Sequence, residues 1–126
     1  MTIEKSICPF CVPERSILIE SENSIAIFDA FPVSQGHVLI IPKRHCCNFF
    51  DLAPAEQADC FILLNRVKTI IQDKYNPDGF NVGININEAA GQTILHAHIH
   101  LIPRYLGDVE KPRGGVRGVI PQKRSY

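Results

Sequence analysis

Residues 95–101 read Leu-His-Ala-His-Ile-His-Leu, and an extended strand is the conformation that sorts this alternation. Strand side chains change face at every residue, so Leu95, Ala97, Ile99 and Leu101 share one face and His96, His98 and His100 the other. An apolar strand face needs a second layer to cover it. Residues 54–74 supply a helix for that purpose: Phe61, Leu64, Val67, the stem of Lys68 and Ile71 recur at spacings of three and four. Pro54 suits its first turn, and Asn76-Pro77-Asp78-Gly79 ends it. Residues 16–20, 24–31 and 37–42 read as strands between polar turns. Residues 80–87 set Phe80, Val82, Ile84 and Ile86 against Asn81, Gly83, Asn85 and Asn87, and residues 94–102 form the strand of histidines. The reading is an α+β domain with an antiparallel sheet. The long helix lies behind the last strand, and the histidines share an open-sided groove with the Asn85 face.

The chain has 126 residues, with 13 Lys+Arg balanced by 13 Asp+Glu. That length favours a single domain spanning residues 1–126, with an N-terminal segment 1–15 and a C-terminal arm 105–126. Zero formal charge argues against a nucleic-acid partner or an anionic membrane recognised by bulk electrostatics. No apolar run approaches the roughly 20 residues that span a bilayer, and the first residues lack a signal peptide's apolar stretch, so a cytoplasmic location is expected. The cysteines number five, an odd count better suited to metal ligands or buried thiols in a reducing compartment than to a disulfide framework. The arm is rich in Gly, Pro and basic residues and is expected to be mostly extended.

Three histidines on one strand face admit a structural, a metal-binding or a catalytic reading. Burying all three for structure alone demands three sets of hydrogen-bond partners. A three-histidine metal centre is a competitor, but same-face positions lie about 6.5 to 7 Å apart, so the outer two stand roughly 13 Å apart at the backbone, too wide to converge easily on one ion. A catalytic row asks for less. A neutral imidazole nitrogen attacks phosphorus well, and a backbone carbonyl on the second nitrogen fixes the reactive tautomer.

GQTILHAHIHLIPR resembles the histidine triad family, whose signature is His-x-His-x-His followed by apolar residues. The likeness extends to FDAFPVSQGHVLIIPKRH at residues 28–45, to NINEAAGQT, and to the N-terminal CPFC, so it covers residues 8–104. It implies a nucleotide-binding fold: a five-stranded antiparallel sheet with one long helix and a short helix packed on one face, commonly as a homodimer. It implies cleavage at the α-phosphorus of a nucleotide, a dinucleoside polyphosphate or a nucleoside phosphoramidate, without an organic cofactor. By the same resemblance His98 is the nucleophile that forms a nucleotidyl-histidine, and His100 and Asn85 contact phosphate oxygens. Thr93, with Gly91 and Gln92, lies nearest the leaving group, Asp29 meets the ribose, His37 is the neighbouring-strand histidine, and Ile27 lines the base pocket. Plainer readings of Asp29, Thr93 and Asn85 are a strand end, a turn residue and a solvated polar tip.

Cys8-Pro9-Phe10-Cys11 has the gap that lets two thiolates reach one zinc ion, and His45 with His96 would complete four ligands. This matches a metal site in some relatives, including the galactose-1-phosphate uridylyltransferase branch. Such a zinc is structural, with a closed shell. Cys46, Cys47 and Cys60 read as small hydrophobes. His100 stands where the uridylyltransferase branch has glutamine, which favours hydrolysis over sugar-nucleotide transfer and leaves a nucleotidyltransferase with an acceptor other than water as an alternative. Two further readings are a nucleotide-binding regulatory protein with negligible turnover and a metal hydrolase ligated by the three histidines. The arm, with Arg104, Arg113, Arg117, Gly114, Gly115 and Gly118, either folds over the pocket to meet a polyphosphate or is a surface or dimer-interface arm.

Overall fold

A computed structural model describes residues 8–13 and 16–126. Five strands form one sheet: β1 (Ile19–Glu20), β2 (Ser24–Phe28), β3 (Val38–Pro42), β4 (Gly79–Gly83) and β5 (Ile99–Arg104). Their order is β1-β2-β3-β5-β4, and every neighbouring pair is antiparallel. The single α-helix among the described residues, α1 (Pro54–Tyr75), carries the chain from β3 to the outer strand β4, and β5 then inserts between them. This is the fold expected, with the short helix represented by a single 3₁₀ turn at Phe49–Asp51 whose Phe49 is buried edge-on to Phe61 of α1.

Both faces of the central strands are covered. Ala26, Val38, Ile40, Ala97, Ile99 and Leu101 pack against α1, as the alternation requires. On the other face Ile25, Ile27, Leu39 and Ile41 cluster with Cys8 and Phe10 of the N-terminal segment. Burial on both sides accounts for the unbroken apolar runs of β2 and β3, which show no period of two.

The buried stripe of α1 differs from the expected one. Cys60, Leu63, Val67 and Ile71 are buried and Leu64 is partly so, while Phe61 is 45% exposed. Phe61, Ile62, Leu63 and Leu64 form an apolar run wider than the helix can bury, so spacing alone left the stripe's phase open by one residue. At the helix start, the Glu56 carboxylate accepts the Ala53 amide at 2.9 Å, half of a capping box because alanine offers no acceptor in return. The helix ends with Asn76 in the left-handed region, φ 49°. Asp59 accepts hydrogen bonds from Ser21 Oγ, Ser24 Oγ and the Asn23 amide, binding the β1–β2 turn to the helix. Gly36 has φ +91°, and an added Cβ would meet the Tyr75 ring at 2.9 Å, so the turn entering β3 needs a glycine for both reasons.

Several strand ends fall short of expectation: β1 begins at Ile19 and β3 at Val38, against the expected residues 16 and 37. β2 stops at Phe28 because Asp29 Oδ1 accepts the Phe31 amide at 2.9 Å and turns the chain. β4 stops at Gly83, and β5 begins only at Ile99, because the residues before it bond to the loop after β3 instead. The arm is not extended: 3₁₀ turns at Gly115–Val119 and Pro121–Lys123 fold it back on itself, and Arg117 and Arg124 donate to the Lys123 and Lys111 carbonyls. No helix among the described residues is long and apolar enough to cross a membrane.

Truncating the fully buried Leu63 to alanine should cost about 2 to 5 kcal/mol, against less than about 1 kcal/mol for the exposed Ile62. Urea unfolding of the two variants checks this; the reverse ranking would move the stripe.

Candidate functional site

The histidine-bearing segment is held by the loop that follows β3. The Cys46 carbonyl accepts the Ala97 amide at 2.7 Å, and the Leu95 carbonyl receives the Cys47 thiol at 3.1 Å. Gln92 adds a third tie. It is buried, and its side-chain nitrogen donates to the Cys47 carbonyl at 2.7 Å and the Ile94 carbonyl at 3.1 Å, while its oxygen accepts the Asn87 amide at 2.9 Å. Gln92 lines the cavity described below, yet its amide is committed to three backbone groups. Positive φ at Gly91, +92°, closes the turn that brings Gln92 into this position.

These restraints set the three histidines in different surroundings. His96 Nε2 donates to the Pro42 carbonyl at 2.7 Å, which leaves Nδ1 unprotonated and 3.4 Å from both Cys8 Sγ and Cys11 Sγ. His98 Nδ1 donates to the His96 carbonyl at 2.8 Å, so its lone pair is on Nε2. His100 is fixed through a longer chain. The Val33 amide donates to His37 Nδ1 at 3.1 Å, so a neutral His37 carries its proton on Nε2. That proton faces His100 Nδ1 at 3.0 Å and Asp29 Oδ2 at 3.4 Å. His100, accepting at Nδ1, then holds its own proton on Nε2. One motif thus yields a lone pair at His98 and a donor at His100, with ring centroids 5.0 Å apart.

Asp29, His37 and His100 also lie close enough to suggest a metal site. The Val33 hydrogen bond argues otherwise, because it keeps a proton where His37 would have to present a lone pair. Nor do the triad histidines gather around one ion: His96 turns to the cysteines, and the three-histidine metal reading has no geometric support.

Burial holds the cavity imidazoles neutral. It lowers the pKa of His98 against the opposing His96 carbonyl and Asp29, and that of His37 against Asp29. For His100, burial first and then the neighbouring His98 and His37 push the value down to about 4.

Cys8, Cys11, His45 and His96 form a second cluster, with all four ligand atoms within 4.8 Å of one another. His45 Nδ1 is 3.1 Å from Cys11 Sγ. Ligand atoms of a tetrahedral zinc stand roughly 3.3 to 3.8 Å apart, so two thiols and two imidazole Nδ1 atoms at these separations fit that ion. The His96–Pro42 bond supplies the outer hydrogen bond that such a ligand requires. None of the five cysteines is in a disulfide, and Cys60 is fully buried, its thiol pKa raised by burial.

A cavity of about 800 Å³ opens over the sheet face opposite α1. Ile27, Asp29, His37, Asn85, Gly91, Gln92, Thr93, His98 and His100 all line it; Cys8 does too, at the point where the thiol cluster meets the cavity wall. Sequence reasoning missed two contributors. Phe10 sets its ring edge-on to His98 at 5.0 Å, and its place between two metal-ligand candidates was the signal that could have found it. Val33 acts through a backbone amide, which no residue type announces.

The family profile described as HIT domain matches residues 12–107. The chain is 35% identical to the bis(5'-adenosyl)-triphosphatase of Dictyostelium discoideum, over 81% of this chain and 68% of that protein. It is 32% identical to the AP-4-A phosphorylase of Mycobacterium tuberculosis, over 86% of this chain and 57% of that protein. A crystal structure of a Zn-bound histidine triad family protein from Mycobacterium smegmatis superposes with TM-score 0.75 at 32% identity, covering 83% of this chain and 80% of the other.

Two outcomes are expected. Purified protein should carry one zinc per chain by elemental analysis, and Cys11→Ser should lose it with a fall in Tm of roughly 10 °C; full occupancy in the variant would exclude the site. A His100 that titrates near 4 is protonated in the unfolded but not the folded chain between about 4 and 6.5, so it opposes folding as pH falls through that window. In the folded chain the neutral His37–His100 pair should persist through that window, so an acid limb of kcat/KM should have its midpoint below 6.5; a midpoint at 7 or higher would contradict the tautomer chain.

Proposed function

The chain belongs to the HIT domain family, and from that premise we propose that it hydrolyses nucleotides at the α-phosphorus through a nucleotidyl intermediate on His98. The observation that carries this reading is the hydrogen bond from His98 Nδ1 to the His96 carbonyl, 2.8 Å, which leaves a neutral Nε2 lone pair open to the cavity. In the first step Nε2 bonds to phosphorus while the bond from phosphorus to the leaving group breaks. Water then attacks the same phosphorus, the bond to His98 breaks, and a nucleoside monophosphate leaves with the imidazole neutral again.

The other groups stabilise charge and position. His100 donates Nε2–H to a non-bridging phosphate oxygen, and the Asn85 amide serves a second. Because His37 donates its Nε2–H to His100 Nδ1, the Val33 amide orients both rings. Thr93 offers the hydroxyl nearest the leaving group, at the turn shaped by Gly91; Gln92 positions that turn and keeps its amide for the backbone. Asp29 divides its carboxylate between the Phe31 amide and His37, with an edge left for ribose hydroxyls. Ile27 and Phe10 form the apolar walls suited to a nucleobase. Zinc on Cys8, Cys11, His45 and His96 would supply a structural crosslink and no activated water. It would fix the segment carrying Phe10 against the segment carrying His98.

The reading includes a homodimer, for which β4 offers a sheet edge paired on one side only. Five cysteines without a disulfide suit a reducing cytoplasm. A second reading, transfer to inorganic phosphate, draws on the relative named AP-4-A phosphorylase.

Acid-quenched mass spectrometry with diadenosine tetraphosphate should find an adenylyl group on the peptide containing His98. His98→Ala should lower kcat by roughly three orders of magnitude or more with the fold retained. An adduct elsewhere, or turnover that survives the substitution, would reject the mechanism. A nucleoside diphosphate product that requires added phosphate would select phosphorolysis.

A further inference from the structure

No lysine or arginine lines the histidine cavity, whose single formal charge among the described residues is the carboxylate of Asp29. A neutral cavity suits a nucleoside and one phosphate, and it offers nothing to a longer anionic tail. The cations lie elsewhere. Residues 111–126 hold Lys111, Arg113, Arg117, Lys123 and Arg124 with no Asp or Glu, in a chain whose total formal charge is zero. Most of the arm also falls outside the residues matched by the HIT domain, 12–107.

The fold brings this charge beside the histidines. His100 pairs with Gly83 and, one same-face step further along, Ile102 pairs with Asn81. Asn81, Ile102 and Arg104 therefore share the histidine face, and they floor a trough of about 500 Å³ that Arg124 also lines. Val33 belongs to both the histidine cavity and the trough, so the two adjoin. Beyond, Arg124, Arg113 and Lys111 line a further hollow. From His100 to Arg104 is about 13 Å along the strand, a reach that fits a polyphosphate tail.

Arg124 is seated deliberately. A Cβ on Gly114, at φ +93°, would collide with the Arg124 carbonyl. Its Nη2 is used on the Lys111 carbonyl at 2.9 Å, but its Nε–H is buried and finds no acceptor. Arg104 is already neutralised, since both Asp108 carboxylate oxygens accept from it at 2.8 Å. Arg124, Arg113 and Lys111 are left as the cations of this path that no carboxylate among the described residues pairs with.

We propose that the trough lined by Arg124, with Arg113 in the hollow just beyond it, is a subsite for the anionic tail of a dinucleoside polyphosphate leaving group. This rests on the nucleotide-hydrolase reading and names its substrate class. Guanidinium groups and glycine-exposed backbone suit phosphate oxygens. The tail would run from the α-phosphate at His98 past Val33, while the small amine of a phosphoramidate never reaches the arm.

Full-length protein is assayed on diadenosine tetraphosphate and on adenosine 5'-phosphoramidate, comparing wild type with Arg113→Gln/Arg124→Gln and with Arg113→Lys/Arg124→Lys. A charged hydrogen bond is worth enough that the glutamine pair should lower kcat/KM for the tetraphosphate at least about tenfold. Phosphoramidate turnover should stay within about twofold, which also reports an intact fold, and the lysine pair should recover most of the loss. Equal losses on both substrates, or none on either, would overturn the subsite and leave the hydrolase reading standing. Were wild type to turn over neither substrate, the hydrolase reading would fail. Calorimetry would then decide the subsite: tighter binding of the tetraphosphate than of AMP, abolished by the glutamine pair, supports it, and equal binding refutes it.

Discussion

The hydrogen bond from His98 Nδ1 to the carbonyl of His96 is the interaction on which the site depends. In a regular ladder that carbonyl would pair with a neighbouring strand, and the ring would have no fixed tautomer. Here β5 does not begin until Ile99, because Cys46, Cys47 and Gln92 have already taken up the preceding backbone. Loss of ladder pairing over a few residues is thus the source of a directed lone pair. The backbone cost is offset by hydrogen bonds to the loop after β3.

The three histidines illustrate how partner atoms, and not residue type, assign chemistry. Each ring has one nitrogen anchored: His96 by the Pro42 carbonyl, His98 by the His96 carbonyl, and His100 by a chain that starts at the Val33 amide. The remaining nitrogen is a lone pair facing the thiols at His96, a lone pair open to the cavity at His98 and a donor at His100. Burial favours the neutral rings of His37, His98 and His100, so their tautomers persist at neutral pH. The thiol cluster and the cavity are mechanically one unit, since Phe10 sits between Cys8 and Cys11 and touches the ring of His98. A metal there would stiffen the pocket without entering the chemistry.

Charge follows a similar division. The cavity proposed to receive the reacting phosphate is lined by no Lys or Arg among the described residues, and neutral donors line it instead. The arm holds Arg113, Arg117 and Arg124, and Gly114 leaves room there for the Arg124 carbonyl. The proposed subsite would separate polyanion attraction from bond breaking, leaving the imidazoles undisturbed by changes in the arm.

Local pattern carried much of this. The period of two placed Ala97, Ile99 and Leu101 on the helix side, because side-chain alternation follows from strand geometry alone. Spacing picked out Cys8, Cys11, His45 and His96, which do converge, since thiols and imidazoles so arranged have few other uses. Where local signals were degenerate, they failed: the apolar run 61–64 could not fix which side of α1 is buried, and Gly-rich, basic composition suggested an extended arm that in fact turns back on itself. Protonation was beyond reach of any sequence pattern. It is set by backbone groups from distant segments, the Pro42 carbonyl and the Val33 amide among them, and the direction of a hydrogen bond exists only once the chain has closed around it.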